Sequence, residues 1–352
     1  MRSILLIKTS SLGDIVHNLP VVSDIHARFP DAVIDWVVEE SFSAIPKLHP
    51  AVRNIIPIAL RRWRRKPFSA ATWREMAAFK RTLQQENYDL ILDTQSLVKS
   101  GLIAHFAKGK RAGYAAEIAR EPLAAYFYDE TFVIPKNLHA VDRYRWLAAA
   151  AFAYEPNLPL DYGIVAPDFN VAVNGWMSSS NAANYCVLLT ATSRADKLWP
   201  ETAWVQLGRV LNEQGLACIL PSGNAEETAR AHRIAAQLPN AIAAPPLPLD
   251  AIAQLLAQSQ LVVGLDTGLS HLAAALGTPV VAIFCSTDPA ETGVHADKNV
   301  INLGNIGAPP SVDEVVIATL ALTQNARSTA LGSALSSALS KVSNTASKTR
   351  SE

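Results

Sequence analysis

The sequence predicts an α/β protein built from two doubly wound parallel sheets that face each other across a cleft. Short apolar runs alternate with longer segments of helical periodicity, which is typical of parallel βαβ units. This alternation stops at a proline-rich stretch, 155–170, and then restarts. A chain of 352 residues is long enough for two domains. We expect an N-terminal domain at 1–160, a C-terminal domain at 161–325 and a low-complexity, disordered tail at 326–352.

Each half supplies its own strands and helices. In the first half the pattern predicts strands at 4–7, 33–40, 89–93 and 111–115, and helices at 15–28 and 94–109. In the second half it predicts strands at 185–190, 216–221, 261–265 and 280–284, and helices at 200–215, 225–238, 249–259 and from about 266 to Gly277. Ligands of such sheets bind beyond the carboxyl ends of the strands, so polar residues directly after strands are the candidates for a site.

Composition restricts the possible partners and the compartment. Lys and Arg total 31 and Asp and Glu total 31, so the whole-chain charge predicts neither nucleic-acid binding nor an acidic partner. Cys186, Cys218 and Cys285 have apolar neighbours and are expected to be buried free thiols in a reducing compartment. The apolar run near the N-terminus is too short for a signal peptide, and no run reaches the roughly 20 residues that span a bilayer. We expect a cytoplasmic protein that can still touch a membrane surface.

The stretch KTSSLGDIVHNLP, 8–20, lies between the first strand and the first helix. Gly13 lets the backbone approach a ligand closely, and Asp14 lies at the start of the helix. Asp14 is a candidate general base, with His17 as the rival base. The alternative is structural, because Ser10, Ser11 or Asp14 can simply cap the helix.

The stretch TATSRADKLWP, 190–200, follows the first strand of the second half. Thr192, Ser193 and Lys197 offer two hydroxyls and an ammonium group, which suit phosphate oxygens. The stretch is not a P-loop, because the glycine–lysine frame of that motif is missing. A solvated loop lysine is the alternative.

The stretch DTGLSHLAAALG, 266–277, opens a helix directly after a strand. Thr267 and Gly268 lie where free N–H groups and the helix dipole attract an anion, and His271 is one turn further on. Asp266 can cap the helix or bind ligand hydroxyls. A capped structural helix is the alternative. An aspartic-protease dyad with the similar LDTQS at 92–96 is disfavoured, because Gln95 replaces the required glycine.

Two further stretches are candidates. RRWRRKPF, 61–68, concentrates five cations, which can grip an anionic acceptor or stay solvated; they are Arg61, Arg62, Arg64, Arg65 and Lys66. Arg120 of the same half is a possible ally. In PSGNAEETAR, 221–230, Glu226 or Glu227 can accept hydrogen bonds from ribose or sugar hydroxyls, or cap the helix that begins there.

Taken in order, KTSSLGDIVHNLP, DWVVEESFSAIPKLHPAV, RRWRR, AREPLA, DKLWPE and DTGLSHLAAALGTPVVAIF resemble glycosyltransferase family nine, over about residues 1 to 320. The resemblance implies the GT-B fold, in which two Rossmann-like domains face a central cleft. It also implies inverting transfer of L-glycero-D-manno-heptose from ADP-heptose to the first Kdo of Kdo-lipid A, without a metal or cofactor. One departure is Cys285 in CSTDP, where the family usually has GPTDP.

The resemblance also implies roles for the candidate residues. Asp14 matches the general base. The donor-binding matches are Thr192, Ser193, Lys197, Glu227, Asp266, Thr267, Gly268 and His271, and the acceptor-binding matches are Arg61, Arg62, Arg64, Arg65, Lys66 and Arg120. The basic stretch further predicts peripheral attachment to the anionic cytoplasmic face of the inner membrane. Two alternatives stay open: a family member whose acceptor already carries a heptose, and a sugar-nucleotide-binding protein without turnover.

Overall fold

The computed structural model describes residues 2–167, 184–192 and 194–324. They form two sheets, each of six parallel strands. The first sheet contains β1 (Ser3–Ile7), β2 (Val33–Glu39), β3 (Val52–Ile58), β4 (Asn87–Asp93), β5 (Lys108–Tyr114) and β6 (Glu130–Phe132). The second contains β7 (Tyr185–Leu189), β8 (Ala217–Leu220), β9 (Ala241–Ala243), β10 (Leu261–Leu265), β11 (Val280–Phe284) and β12 (Val300–Gly304). The expected two-sheet α/β architecture is confirmed.

Helices cover both sheets. The helices of the first half are α1 (Leu12–His17), α2 (Leu19–Arg28), α3 (Leu60–Trp63), α4 (Ala70–Leu83), α5 (Val98–Phe106) and α6 (Ala140–Phe152). Those of the second half are α7 (Glu201–Glu213), α8 (Ala225–Ala235), α9 (Leu249–Ala257), α10 (Gly268–Ala275) and α11 (Pro289–Thr292), with further helical residues at 312–324. No helix in the described part of the chain is long and apolar enough to cross a membrane.

The two sheets have the same strand order. The first runs β3-β2-β1-β4-β5-β6. The second, read from its other edge, runs β9-β8-β7-β10-β11-β12. If β7 is counted as the first strand of the second sheet, the two orders are identical. In each sheet the order reverses between two central strands, β1 and β4 in the first and β7 and β10 in the second. A crevice opens at such a reversal beyond the carboxyl ends of the strands, and ligands of doubly wound sheets bind there.

The central strands form the cores because both of their faces are covered. The side chains of Ile4–Ile7 and of β10 and β11 are fully buried, which explains their continuous apolar runs. Cys186, Cys218 and Cys285 are free and buried, as expected. The edge strands β3, β6, β9 and β12 are partly exposed, and this is why the sequence pattern did not reveal them.

Two expected helices differ from the structure. The pattern predicted one helix over 15–28, but Asn18 separates α1 from α2. Pro20 has no N–H to donate to the preceding turn, so the first helix ends before it. The helix expected over 94–109 begins only at Val98, because the Asp93 carboxylate accepts hydrogen bonds from the amides of Gln95 and Ser96 and holds 94–97 in a turn. The expected tail, 326–352, lies outside the described residues.

Candidate active site

A cleft of about 750 Å³ lies between the two halves, where the carboxyl ends of β1, β4, β7 and β10 approach each other. Its lining includes two carboxylates, Asp14 and Asp266. It also includes six cationic side chains: Lys8, Arg61, Arg120, Lys136, Arg143 and Lys197. The excess of positive charge suits an anionic ligand, although the chain as a whole is neutral.

Asp14 lies in the first turn of α1, and both of its carboxylate oxygens accept hydrogen bonds. Its Oδ2 accepts hydrogen bonds of 2.9 Å from the backbone N–H and the hydroxyl of Ser11, and its Oδ1 accepts one of 2.9 Å from the Tyr144 hydroxyl. Burial raises the pKa of Asp14, but the charge of Lys8 and these hydrogen bonds outweigh burial and hold the pKa well below its usual range. Asp14 therefore caps the start of α1 and is at the same time an ionised carboxylate in the cleft, so the structural and the functional interpretation are compatible.

Lys8 follows β1 and lies beneath Asp14. Its side chain is 2% exposed, and its Nζ lies 4.0 Å from Asp14 Oδ1, 3.7 Å from the centre of the Tyr144 ring and 3.0 Å from the carbonyl oxygen of Thr94, to which it donates. Burial lowers the pKa of Lys8 to about 8, although the neighbouring carboxylates Asp14 and Asp93 oppose this shift. The cleft thus contains a buried ammonium group that titrates close to neutral pH.

His17, the rival candidate for the base, also lines the cleft, but one of its ring nitrogens contacts another histidine. It is 4% exposed, and its Nε2 lies 3.0 Å from Nδ1 of His271, which comes from the second half. Burial, and then the neighbouring His271, hold the pKa of His17 well below its usual value. The Nε2 of His17 is therefore already engaged by another protein group.

Asp266 follows β10 and faces Asp14 from the second half. Its Oδ2 accepts hydrogen bonds of 2.5 Å from Lys197 Nζ and 2.7 Å from the Thr287 hydroxyl, and its Oδ1 lies 3.8 Å from His271 Nε2. Burial raises the pKa of Asp266, but His271, Lys197 and Thr287 outweigh it and hold the pKa well below its usual range. The Thr192 hydroxyl donates to the backbone carbonyl of Asp266, so that the loop after β7 is tied to the end of β10.

The N-terminal end of α10 opens onto the cleft without a side-chain cap. Thr267 precedes the helix and makes no capping hydrogen bond with its side chain, and Asp266 does not cap it either. Thr267, Gly268 and His271 all line the cleft. Free N–H groups and the positive end of the helix dipole therefore face the same space as Lys197.

The starts of α1 and α10 touch. A β-carbon placed on Gly268 would lie 2.7 Å from the backbone nitrogen of Gly13 and 2.7 Å from the side chain of Leu12. The two halves thus approach by backbone contact beside the site. This contact joins residues more than 250 positions apart, so no local pattern could have revealed it.

The basic stretch is divided between the cleft and the surface. Arg61 lines the cleft with its guanidinium 4.8 Å from the centre of the Phe42 ring, and Arg120 also lines the cleft. Arg62 does not, because its guanidinium is paired with Glu40 and Glu75. Arg64, Arg65 and Lys66 are exposed and form no ion pair with any described residue. The stretch is also not wholly a loop, since Leu60–Trp63 form α3.

Two donor-side candidates stand apart from this arrangement. Glu227 does not line the cleft; its carboxylate accepts hydrogen bonds of 2.7 Å from the Gly223 backbone and the Asn224 side chain, at the start of α8. Ser193 lies outside the described residues. Asp93, the other half of the disfavoured protease dyad, is buried against the Tyr128 hydroxyl and does not line the cleft.

Several cleft residues were missed by the sequence reasoning. Lys8 extends an apolar strand, and Arg143 and Tyr144 lie on α6, which reads as an ordinary amphipathic helix. Lys136 stands in a loop without a motif. Of these residues, only Lys8 could have been found from the sequence, because it is a cation directly after the first strand. Among the described residues, no group of three or more His, Cys, Asp or Glu side chains is arranged to hold a metal ion.

Two facing Rossmann-like domains with a basic cleft between them form the GT-B type of fold. The chain belongs to glycosyltransferase family 9 (heptosyltransferase), whose model matches residues 76–320. It is therefore a glycosyltransferase.

Named relatives cover most of the chain. Lipopolysaccharide heptosyltransferase 1 of Escherichia coli K12 is 41% identical over 300 residues, which is 85% of this chain and 92% of the relative. The protein of the same name from Pseudomonas aeruginosa is 40% identical, over 86% of this chain and 83% of the relative. The solved structure of E. coli heptosyltransferase WaaC with ADP matches with a TM-score of 0.80 at 38% identity, covering 89% of this chain and 97% of that one. E. coli ADP-heptose lps heptosyltransferase II shares the fold, with a TM-score of 0.72 at 22% identity over 92% and 99% of the two chains.

Proposed function

We propose that this protein transfers L-glycero-D-manno-heptose from ADP-heptose to the first Kdo sugar of Kdo-lipid A, with inversion and without a metal. The observation that carries the proposal is the placement of an ionised carboxylate, Asp14, and an uncapped helix start, at Gly268, on facing sides of one basic cleft. The names of the relatives and the ADP in the WaaC structure support the choice of donor.

Asp14 is the general base of the proposed reaction. The acceptor hydroxyl gives its proton to Asp14 while its oxygen bonds to the anomeric carbon of heptose, and the bond from that carbon to the diphosphate oxygen breaks to release ADP. The Tyr144 and Ser11 hydrogen bonds orient the carboxylate. The low pKa keeps the carboxylate ionised at neutral pH, and it also makes Asp14 a weaker base than an ordinary aspartate, so the proton transfer relies on the position of the acceptor hydroxyl.

The donor diphosphate is proposed to lie against the start of α10. The free N–H groups near Thr267 and Gly268 and the ammonium of Lys197 stabilise the charge that develops on the leaving group. Lys197 would then exchange part of its contact with Asp266 for a phosphate oxygen. Thr192, Ser193 and Glu227 complete the proposed donor contacts, with Glu227 on the ribose.

The acceptor is proposed to bind on the first half, against Arg61 and Arg120 of the cleft and the exposed cations Arg64, Arg65 and Lys66. Arg143 and Lys136 extend this basic lining deeper. Arg62 is better assigned to holding the stretch in place, because both of its partners are carboxylates of the protein.

The same exposed cations are proposed to attach the protein to the anionic cytoplasmic face of the inner membrane. Phe68, which is 94% exposed, and Trp73, which is 60% exposed, stand next to them. Cations beside exposed aromatic side chains are typical of surfaces that lie on a bilayer, because the cations meet headgroups and the rings enter the interface.

The test of the catalytic role is Asp14→Asn. Because the amide keeps the shape but cannot accept the proton, we expect turnover of ADP-heptose and Kdo-lipid A to fall by about 10²–10⁴-fold. Calorimetry should show ADP affinity close to that of the unmodified protein. Asp31→Asn, at an exposed acid of the same half, is the control and should leave both unchanged. A near-normal rate in the Asp14 variant would show that another group is the base.

A panel of truncated lipopolysaccharide acceptors tests the acceptor assignment. We expect Kdo-lipid A to be used and an acceptor already carrying one heptose to be used poorly. The reverse preference would assign the chain to the later heptose transfer, and no ADP release with any acceptor would leave only a binding protein.

A further inference from the structure

The His17–His271 contact joins the two halves directly beside the candidate donor site. His17 ends α1 and His271 lies in the first turn of α10, and both are 4% exposed. The Nε2 of His17 is 3.0 Å from Nδ1 of His271, and the rings meet edge to face with centroids 4.4 Å apart. In a hydrogen bond between two imidazole rings, one ring nitrogen donates and the other accepts.

The surroundings decide which ring donates. If His271 donated from Nδ1, its Nε2 would carry a bare lone pair 3.8 Å from the ionised carboxylate of Asp266. If His17 donates, the hydrogen of His271 sits on Nε2 and points its positive end at that carboxylate. The second arrangement is the attractive one, because a lone pair and a carboxylate repel each other.

We propose that His17 is a positioning residue that donates a hydrogen bond to His271 and so fixes His271 as the tautomer with its hydrogen on Nε2. His271 and Asp266 both line the cleft, so an anion in front of α10 that takes over part of the Asp266 contact meets a donor at His271 Nε2. In the other tautomer it would present a lone pair to the same anion. The inference rests on the proposed function only in identifying that anion as the diphosphate of ADP.

Among the described residues, no side chain other than His17 lies within hydrogen-bond distance of His271 Nδ1. The ring of His139 lies 5.7 Å from that of His17 by centroids, but its Nδ1 accepts from the Val141 amide and its Nε2 contacts the carbonyl of Gly293. Lys8 and Asp14 act on His17 through their charges, and neither makes a hydrogen bond with His271 among the described residues. The tautomer of His271 therefore depends on two side chains, Asp266 near Nε2 and His17 at Nδ1, and of these His17 makes the shorter contact and comes from the opposite half.

Nitrogen NMR of the full chain labelled at histidine reads this tautomer without any substrate. His271→Gln identifies the signal. We expect His271 to be the Nε2–H tautomer in the unmodified protein and in His17→Gln, whose amide can still donate. In His17→Leu the signal should shift toward a mixture of tautomers. The Nδ1–H tautomer in the unmodified protein, or an unchanged tautomer in His17→Leu, would overturn the proposal.

Calorimetry with ADP tests the consequence. Since a hydrogen bond to a charged group is worth more than one between neutral groups, we expect His17→Leu to weaken ADP binding by about tenfold and His17→Gln by about threefold or less. His139→Leu is the matched control, because it removes a hydrogen bond between the halves at a residue that makes no hydrogen bond with His271.

The outcomes separate this inference from the proposed function. Equal losses in the Leu and Gln variants, or equal losses in the control, would show a merely structural role and overturn the inference. If the unmodified protein does not bind ADP, the proposed function fails, and the NMR result alone then decides the role of His17.

Discussion

At the scale of single residues, Lys8 is the side chain whose behaviour differs most from its usual chemistry. It is 2% exposed, and its pKa is lowered from 10.5 to about 8 by burial. Between those two pH values the folded protein has released the Lys8 proton while the unfolded chain still holds it. The unfolded state then binds more protons, so the contribution of Lys8 to the free energy of unfolding rises with pH across this window.

Lys8→Met tests this directly. We expect the free energy of unfolding of the unmodified protein, relative to the variant, to rise between pH 8 and pH 10.5, by up to about 1.4 kcal/mol per pH unit. Urea unfolding at several pH values in that window measures the difference. Lys47→Met, at an exposed lysine of the same half, should give a difference that does not change with pH. A flat difference for Lys8→Met would mean that its ammonium keeps its ordinary pKa in the folded protein.

At the scale of elements, the site is made by two helix starts that meet. The sequence analysis named polar residues that follow strands as site candidates, and the structure has Asp14, Lys197 and Asp266 lining one cleft. It could not predict that α1 and α10 touch, because nothing in the sequence around Gly13 or Gly268 indicates which residue each of them contacts. Tyr144 was missed for the same reason: the pattern of α6 shows an apolar face but not what that face meets.

The two glycines at this contact allow a paired prediction. A β-carbon at 268 would meet Gly13 and Leu12 at 2.7 Å, whereas one at 13 would meet the His271 ring at 3.5 Å and the Gly268 backbone at 3.7 Å, which are ordinary van der Waals distances. We expect Gly268→Ala to lower the melting temperature and the ADP affinity, since overpacking costs about 1–3 kcal/mol. Gly13→Ala should be tolerated, because alanine favours a helix by about 1 kcal/mol over glycine. Thermal melts and ADP titrations of both variants measure this; equal effects would contradict the packing argument.

At the scale of the whole molecule, the chain has no net charge, but its basic residues are concentrated in one stretch. Residues 60–85 contain eight Lys or Arg and one acidic residue, while the chain as a whole has 31 of each sign. The sequence alone shows where the basic residues are concentrated, but only the structure shows that they have different surroundings. Arg61 faces the cleft, Arg62 is paired with Glu40 and Glu75, and the next three cations face outward. The division depends on carboxylates that are distant in sequence, so the pattern could not show it.

The outward cations give the last prediction. Each cation near an anionic membrane contributes about 1 kcal/mol, so replacing Arg64, Arg65 and Lys66 together by Gln should weaken binding to phosphatidylglycerol–phosphatidylethanolamine vesicles on the order of 100-fold. The binding of the unmodified protein should also fall as salt rises, because the attraction is screened within about 10 Å at 0.1 M. Co-sedimentation with vesicles that contain no acceptor separates the bilayer from the acceptor as the anionic partner.

The control has the same change in net charge, at exposed positions away from the stretch: Lys108→Gln, Arg209→Gln and Lys298→Gln together. If both triple variants lose binding equally, the attraction comes from net charge and not from this surface, and unchanged binding in the first triple variant would remove the stretch from membrane attachment altogether.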